Sequence, residues 1–132
     1  HRSKVPLVWN GEDVAGAFSA LFGDDGLPAK YIDLPLANYA TLPFDAVRRG
    51  GRVVGLSTYT GYSYNERSML SLAMIDAEHA APGTTVTVVW GEPDGGSRKP
   101  TVERHAQVEI RATVAPAPYA EAARVAYRPG AR

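Results

Sequence analysis

The feature that most constrains the fold of this sequence is a strict two-residue alternation of apolar and polar side chains between His105 and Val114. In this segment we expect Val108, Ile110, Ala112 and Val114 to face the core. Successive side chains of a strand point to opposite faces of a sheet, so the pattern predicts a strand with one buried face and one face in water. Sheets with one solvated face are typical of antiparallel β domains.

The rest of the chain contains five further strand candidates separated by turn signals. They cover residues 5–9, 39–47, 52–60, 69–75 and 85–90. Glycine and proline, which favour turns, number 13 and 10 in 132 residues, and Gly50-Gly51 predicts a tight hairpin turn between the second and third candidates. Six short strands predict a mainly β fold, either a small antiparallel barrel or a sandwich, and we favour a six-stranded, Greek-key-type barrel.

One segment near the N-terminus has helical periodicity instead. Apolar residues recur there at i, i+3, i+4, i+7 and i+8, namely Val14, Ala17, Phe18, Leu21 and Phe22. Asn10 stands where a helix N-cap belongs, and Gly23 suits the C-terminal end. The sequence therefore predicts one N-terminal amphipathic helix over about residues 11–22, and it allows a second, short helix at residues 119–126.

The composition excludes several kinds of site and partner. The chain has no cysteine, which rules out disulfides, zinc–thiolate centres and thiol nucleophiles. Its 14 basic and 14 acidic residues balance, so we expect neither nucleic acid nor a membrane surface as a partner. No apolar run approaches the roughly 20 residues of a membrane span, and no apolar signal core follows the first residues. We therefore expect a cytoplasmic protein in which residues 1–132 form a single domain.

The residues alone offer no catalytic or metal centre. The three histidines, His1, His79 and His105, lack partners at metal-ligand spacing, and we predict no metal site. The glycine-containing segment 91–99 lacks the strand–GxxxxGK[ST]–helix order of a phosphate-binding loop, so we interpret it as a hairpin loop. No GxSxG nucleophile motif is present, and we assign no catalytic residue.

The most promising contact segment is the predicted loop 61–67. It places two tyrosines, an asparagine, a glutamate and an arginine between two apolar strands. Exposed aromatic and arginine side chains are typical of contact sites, and on this ground Tyr62, Asn65 and Arg67 are the candidate ligand-contact residues. An ordinary polar turn whose tyrosines cap the core is the alternative. Binding of single-stranded nucleic acid through these side chains is disfavoured by the net charge of zero.

Several short motifs follow one another in a distinctive order in the middle of the chain. Residues 51–75 read GRVVGLSTYTGYSYNERSMLSLAMI and contain the Gly-aromatic-Ser element Gly61-Tyr62-Ser63, while Pro82-Gly83-Thr84 forms a Pro-Gly-Thr element before a valine-rich strand. This order resembles the C-terminal barrel of the aminomethyltransferase (glycine-cleavage T-protein) superfamily. Within that superfamily, the segments at residues 4–14, 27–32 and 108–114 are most similar to the tetrahydrofolate-dependent aromatic O-demethylases that act on vanillate- or syringate-like methoxybenzoates.

The resemblance implies a function that the residues alone do not. The intact enzyme would move a one-carbon group, methyl or aminomethyl, from a small-molecule substrate to tetrahydrofolate. The superfamily keeps its folate pocket and catalytic groups mainly in an N-terminal region that this chain lacks, and the barrel packs against that region, on the same chain or as a separate subunit, and helps to close the site. We expect the chain alone to be inactive, with Tyr62, Asn65 and Arg67 as candidate cofactor contacts.

A second hypothesis is a standalone β-barrel that binds a ligand or a partner without catalysis. An exposed apolar patch, where the catalytic region would dock, would favour the enzyme hypothesis. A continuous polar surface would favour the standalone barrel.

Overall fold

The computed structural model describes residues 1–23, 26–32, 44–96 and 103–116 and confirms a mainly β fold. The strands are β1 (Arg2–Trp9), β2 (Asp45–Arg49), β3 (Arg52–Ser63), β4 (Ser68–Asp76), β5 (Thr85–Trp90) and β6 (Val108–Val114). One α-helix, α1 (Gly11–Ser19), follows β1, and short 3-10 helices cover Ala20–Phe22 and Ala77–His79. None of the helices in the described ranges combines the length and the apolar character needed to cross a membrane.

The six strands form a closed antiparallel barrel in the order β1-β4-β3-β2-β5-β6, and β6 pairs with β1 to close it. β2, β3 and β4 are consecutive neighbours, and β1 lies beside β4, which is the strand order of a Greek key. Closure gives every one of these strands a partner on both sides. The predicted six-stranded, Greek-key-type barrel is confirmed.

The predicted N-terminal helix is also confirmed, with a shorter α-helical part. The side-chain oxygen of Asn10 accepts a hydrogen bond from the backbone N–H of Asp13 at 3.0 Å, which caps the first turn as predicted. The apolar face packs against the core through Val14, Ala17 and Phe18. The α-helix ends at Ser19, and residues 20–22 continue as a 3-10 turn, a common way for a helix to end.

All six predicted strands are present; β5 has the predicted bounds, and the other five differ from the prediction at one end or both. β3 continues to pair with β4 through Gly61, Tyr62 and Ser63, so the predicted loop 61–67 is wrong in its first three residues and narrows to the turn 64–67. β6 begins at Val108, because the residues before it belong to the preceding loop. Residues 39–43 of the second predicted strand, and the predicted helix at 119–126, lie outside the described residues.

The barrel interior contains two tryptophans whose polar atoms are all satisfied. The rings of Trp9 and Trp90 meet edge to face, with centroids 5.8 Å apart. The indole N–H of Trp9 donates to the Ser71 hydroxyl at 3.0 Å, and that of Trp90 donates to the backbone carbonyl of Lys30 at 2.7 Å. The hydroxyl of Ser57 also donates to that of Ser71, at 2.7 Å. These hydrogen bonds fix the two rings where α1 and the loops of one barrel end meet the core.

Candidate functional site

One end of the barrel carries the segments that the sequence analysis singled out. β3 and β4 are joined there by the turn 64–67, and β5 and β6 by the loop that starts at Gly91. The segment 26–32 reaches the same end, where Ala29 forms a parallel bridge with Ala106. We call this the loop end of the barrel. The turn Gly50-Gly51 lies at the opposite end.

The β3–β4 turn is held in shape by its own hydrogen bonds. The Ser63 hydroxyl accepts from the backbone N–H of Glu66 at 3.2 Å, and the Ser68 hydroxyl donates to the Glu66 carbonyl at 3.1 Å. The backbone N–H of Arg67 donates to the Tyr64 carbonyl at 3.2 Å. The serine of the Gly-aromatic-Ser element therefore has a structural role in this turn, which presents the side chains around it in a fixed arrangement.

The three predicted contact residues, Tyr62, Asn65 and Arg67, lie on this one hairpin. Tyr62 is on β3 opposite Met69, and 37% of its surface is exposed. Asn65 and Arg67 are exposed in the turn. The backbone of Arg67 has a φ of 52°, a left-handed conformation that few residues other than glycine adopt. The hairpin thus presents a tyrosine ring, an amide and a permanently charged guanidinium within six residues of chain.

Tyr59, which the sequence analysis did not select as a ligand contact, occupies the most unusual backbone position of this hairpin. It lies in a β-bulge between Thr58 and Gly61, with a φ of 53° and 67% of its surface exposed. A left-handed backbone costs a bulky residue on the order of 1 kcal/mol. Bulges redirect side chains and occur frequently beside functional sites. No sequence signal marks the position, because tyrosine is not a residue that predicts a positive φ.

A buried polar cluster supports the loop that follows β5. The ammonium group of the buried Lys30 lies 3.4 Å from a carboxylate oxygen of Glu92 and 4.9 Å from the ring centroid of Trp90. The Nε2 atom of His105 accepts from the backbone N–H of Glu92 at 2.8 Å, and its Nδ1 lies 2.7 Å from the Glu103 carbonyl. Because Nε2 is an acceptor in this arrangement, the ring proton is on Nδ1.

The loop is shaped around the His105 ring. Gly91 has a φ of 117°, and a Cβ atom at that position would lie 3.1 Å from the ring. The lysine, the glutamate and the histidine have their polar partners inside the protein, so this cluster fixes the loop and leaves no free group for a ligand. Residues 91–96 form a loop, as predicted, and the fold of this loop depends on the buried ring beneath it.

A groove of about 320 Å³ opens beside the segment 26–32. Its walls include Leu21, Tyr31 and Arg104, and none of the three predicted contact residues lines it. In the described part of the chain, no group of three His, Cys, Asp or Glu side chains is placed to hold a metal ion. The candidate contact hairpin and the groove are therefore two separate places on the molecule.

An ion pair fastens α1 to the outer face of β6. The guanidinium of Arg111 donates to both carboxylate oxygens of Asp13 at 2.9 Å, and its backbone N–H donates to the same carboxylate at 2.8 Å. These hydrogen bonds lower the pKa of the Asp13 carboxyl from 3.8 to about 2. The same hydrogen bond raises the pKa of Arg111. The first turn of α1 is thus held against the outer face of β6.

Curated proteins match nearly the whole chain. A syringate O-demethylase from Sphingobium sp. is 51% identical over 127 residues, which are 96% of this chain and 27% of that protein. A sesamin methylene transferase from Sinomonas sp. is 38% identical over an alignment of 128 positions that covers 90% of this chain and 26% of that protein. No protein-family model matches the chain.

The chain thus spans about a quarter of the length of the curated relatives that it matches. The two names both describe removal or transfer of a one-carbon group. The predicted resemblance to aromatic O-demethylases is confirmed. Over at least 90% of its length the chain is therefore similar to a segment of a syringate O-demethylase and of a sesamin methylene transferase.

Proposed function

We propose that this chain is the barrel domain of an enzyme that transfers a one-carbon group, most simply a methyl group, from a methoxy-substituted aromatic acid to tetrahydrofolate. The observation that carries the proposal is the 51% identity with a syringate O-demethylase over 96% of the chain. The proposal treats residues 1–132 as one domain of a cytoplasmic enzyme and the larger catalytic region as its partner. The substrate is a small molecule, and the chain alone has no methyl-transfer activity.

The proposed chemistry needs a bound folate and a positioned donor. When bound, tetrahydrofolate supplies the ring nitrogen that accepts the one-carbon group. The bond between the methyl carbon and the donor oxygen breaks, a bond between that carbon and the nitrogen forms, and the oxygen gains the proton that the nitrogen loses. Such a transfer depends on alignment of the two reactants and on a proton for the leaving oxygen.

The donor set of the β3–β4 hairpin fits a molecule with a flat ring system and carboxylates. The ring of Tyr62 offers an aromatic surface, the amide of Asn65 can donate and accept hydrogen bonds, and the guanidinium of Arg67 can pair with a carboxylate. Both the folate tail and an aromatic acid carry carboxylates, so either molecule meets this description. In the proposal these side chains bind and orient, and the turn that carries them limits the access of water.

The contact role of Arg67 is tested by Arg67→Ala in the full-length enzyme. We expect the KM for tetrahydrofolate or for the aromatic acid to rise roughly tenfold, the value of one charge-assisted hydrogen bond, with a smaller change in kcat. Arg52→Ala is the matched control, because Arg52 is another exposed arginine and lies at the start of β3, beside the turn at the opposite barrel end. Unchanged kcat and KM for Arg67→Ala would contradict the proposal that Arg67 contacts the folate or the aromatic acid.

The function itself is tested by incubating the wild-type full-length enzyme with syringate and tetrahydrofolate and measuring the demethylated acid and the methylated folate. We expect both products in equal amounts, and neither from residues 1–132 alone. If the full-length enzyme forms neither product from any methoxybenzoate, the proposed function is wrong. A barrel that binds a ligand without catalysis would then be the better description.

A further inference from the structure

The outward surface of β3 and β4 is apolar to an unusual degree for a face in contact with water. Leu56, Tyr59, Leu72 and Met74 form what we call the β3–β4 face, and between 38% and 67% of the surface of each is exposed. Leu56 is the cross-strand partner of Met74, and Leu72 is the partner of Thr58, the residue before Tyr59. The four side chains therefore belong to one patch on two adjacent strands.

A strained residue stands in this patch. A glycine at position 59 would adopt the observed φ of 53° without strain, whereas the tyrosine adopts it at a cost in free energy. The bulge that imposes this backbone also leaves the tyrosine ring exposed beside the leucine and methionine side chains. Tyrosine is among the residues that carry much of the binding energy at protein interfaces. A contact made by the exposed ring would therefore offset the cost of the strained backbone.

The course of the chain indicates what could cover the patch. β1 pairs with β4 from Arg2 opposite Asp76 to Val8 opposite Leu70, and Lys4 is the cross-strand partner of Met74. A polypeptide that precedes residue 1 in the longer enzyme would thus enter the barrel at the strand directly beside this face. The relatives are about four times as long as the matched segment, so they possess a body large enough to cover it.

We infer that the β3–β4 face is the surface on which the remaining part of the same polypeptide docks, with Tyr59 as its anchor. The inference rests on the proposed function, which makes the barrel one domain of a longer enzyme, and adds the location of the domain contact. A second copy of the barrel on this face is the competing occupant.

The chain contains two methionines, and they make the test direct. Met74 lies in the patch with 41% of its surface exposed, and Met69 is buried with 4% exposed. Oxidation of methionine by peroxide depends on access to the sulfur, and peptide mass spectrometry reads each site separately. Thr113→Met introduces a reference methionine on the exposed face of β6. In the full-length enzyme we expect Met74 to be oxidised about tenfold more slowly than this reference. We also expect its oxidation rate to be close to that of the buried Met69.

Rapid oxidation of Met74, at the rate of the introduced reference, would overturn the inference. Protection of Met74 that disappears on dilution would also overturn it, because a second copy would then be the occupant. The wild-type methyl-transfer assay is separate: an active enzyme with an accessible Met74 contradicts the docking surface alone, and a protected Met74 in an inactive enzyme contradicts the proposed function alone.

Tyr59→Gly tests the anchor. Because glycine removes both the ring and the strain, we expect Met74 in the full-length enzyme to be oxidised severalfold faster than in the wild type, while Met69 stays protected. Equal acceleration at Met69 would show that Tyr59 supports the fold of the barrel, and no acceleration at Met74 would show that it does not contribute to docking. Either result would overturn the role given to Tyr59.

Discussion

Two faces of this barrel are built on the same strand geometry and differ in what they present to the outside. The outward residues of β5 and β6 form cross-strand pairs such as Thr85 with Thr113 and Thr87 with Arg111. The corresponding pair on β3 and β4 is Leu56 with Met74. Both faces cover a buried core, so the difference arises from the outer positions alone. We interpret the polar face as one that stays in water and the apolar face as one that another surface covers.

The difference is visible in the strand sequences once the architecture is known. β6 alternates between apolar and polar residues, as a strand with one wet face should. β4, with the sequence SMLSLAMID, has apolar residues at both inward and outward positions. A strand that is apolar on both sides is typical of burial on both sides. In β4 the outward side chains Leu72 and Met74 nevertheless remain 38% and 41% exposed, which is the basis of the docking inference.

The largest loss of stability is expected from Gly55→Ala, because the added methyl group would push β3 and β4 apart beneath the β3–β4 face. A Cβ atom on Gly55 would overlap the carbonyl oxygen of Met74 and lie 2.9 Å from the Cα of Ile75, both on the backbone of β4. We expect a loss of about 3 kcal/mol in the free energy of unfolding, measured by chemical denaturation. Gly16→Ala is the control, since its added Cβ would meet nothing within 4 Å apart from the adjacent residues and the backbone of its own helix. It should leave stability unchanged or increase it, and an equal loss for both variants would contradict the account.

A smaller effect is expected from Trp90→Phe at the end of β5. The change keeps most of the packing and removes the N–H that bonds the Lys30 carbonyl, so we expect a loss of about 2 kcal/mol in the free energy of unfolding. Trp9→Phe provides the comparison, because its acceptor Ser71 keeps a second hydrogen bond from Ser57. Trp9→Phe should cost less. A larger loss for Trp9→Phe than for Trp90→Phe would contradict the conclusion that the Trp90 hydrogen bond stabilises the segment 26–32.

The smallest effect concerns the ion pair on the polar face, whose contribution to stability disappears in acid. The pKa of the Asp13 carboxyl is about 2 in the folded protein, below its ordinary value of 3.8, so its ion pair stabilises the fold fully above about pH 4. That contribution should be lost as the pH falls from about 4 to 2, where the carboxylate of the folded protein takes up a proton. Arg111→Gln should lower the thermal midpoint slightly at neutral pH and flatten its dependence on pH in this window. If the dependence of the thermal midpoint on pH is the same in Arg111→Gln and in the wild type, carboxylates other than Asp13 cause the loss of stability in acid.

The sequence predicts the parts of this molecule that depend on local patterns. The alternation in β6 and the N-cap at Asn10 follow from periodicity and from the hydrogen-bonding capacity of a short side chain, and both are confirmed. The bulge at Tyr59 could not be predicted, because it results from the register between β3 and β4 and not from the residue itself. The loop boundary at Gly61 was misplaced for the same reason, since this glycine follows the bulge and continues the strand.

The buried cluster around Lys30 was missed for a different reason. Lysine is rarely buried, and its burial here depends on Glu92 and Trp90, which are about 60 residues away in the chain. The candidate site was predicted in part. The hairpin that joins Tyr62, Asn65 and Arg67 is present, whereas the exposed apolar face beside it could be located only after the strand order was known.

The most direct test of the contrast between the two faces is the kcat/KM of the full-length enzyme for syringate after one charge is placed on each face. Leu72→Glu puts a carboxylate on the β3–β4 face, and Thr113→Glu puts the same group on the exposed face of β6. We expect kcat/KM to fall about tenfold or more for Leu72→Glu, because a charge would be buried against the catalytic body, and to change within about twofold for Thr113→Glu. Equal values for the two variants would contradict this expectation.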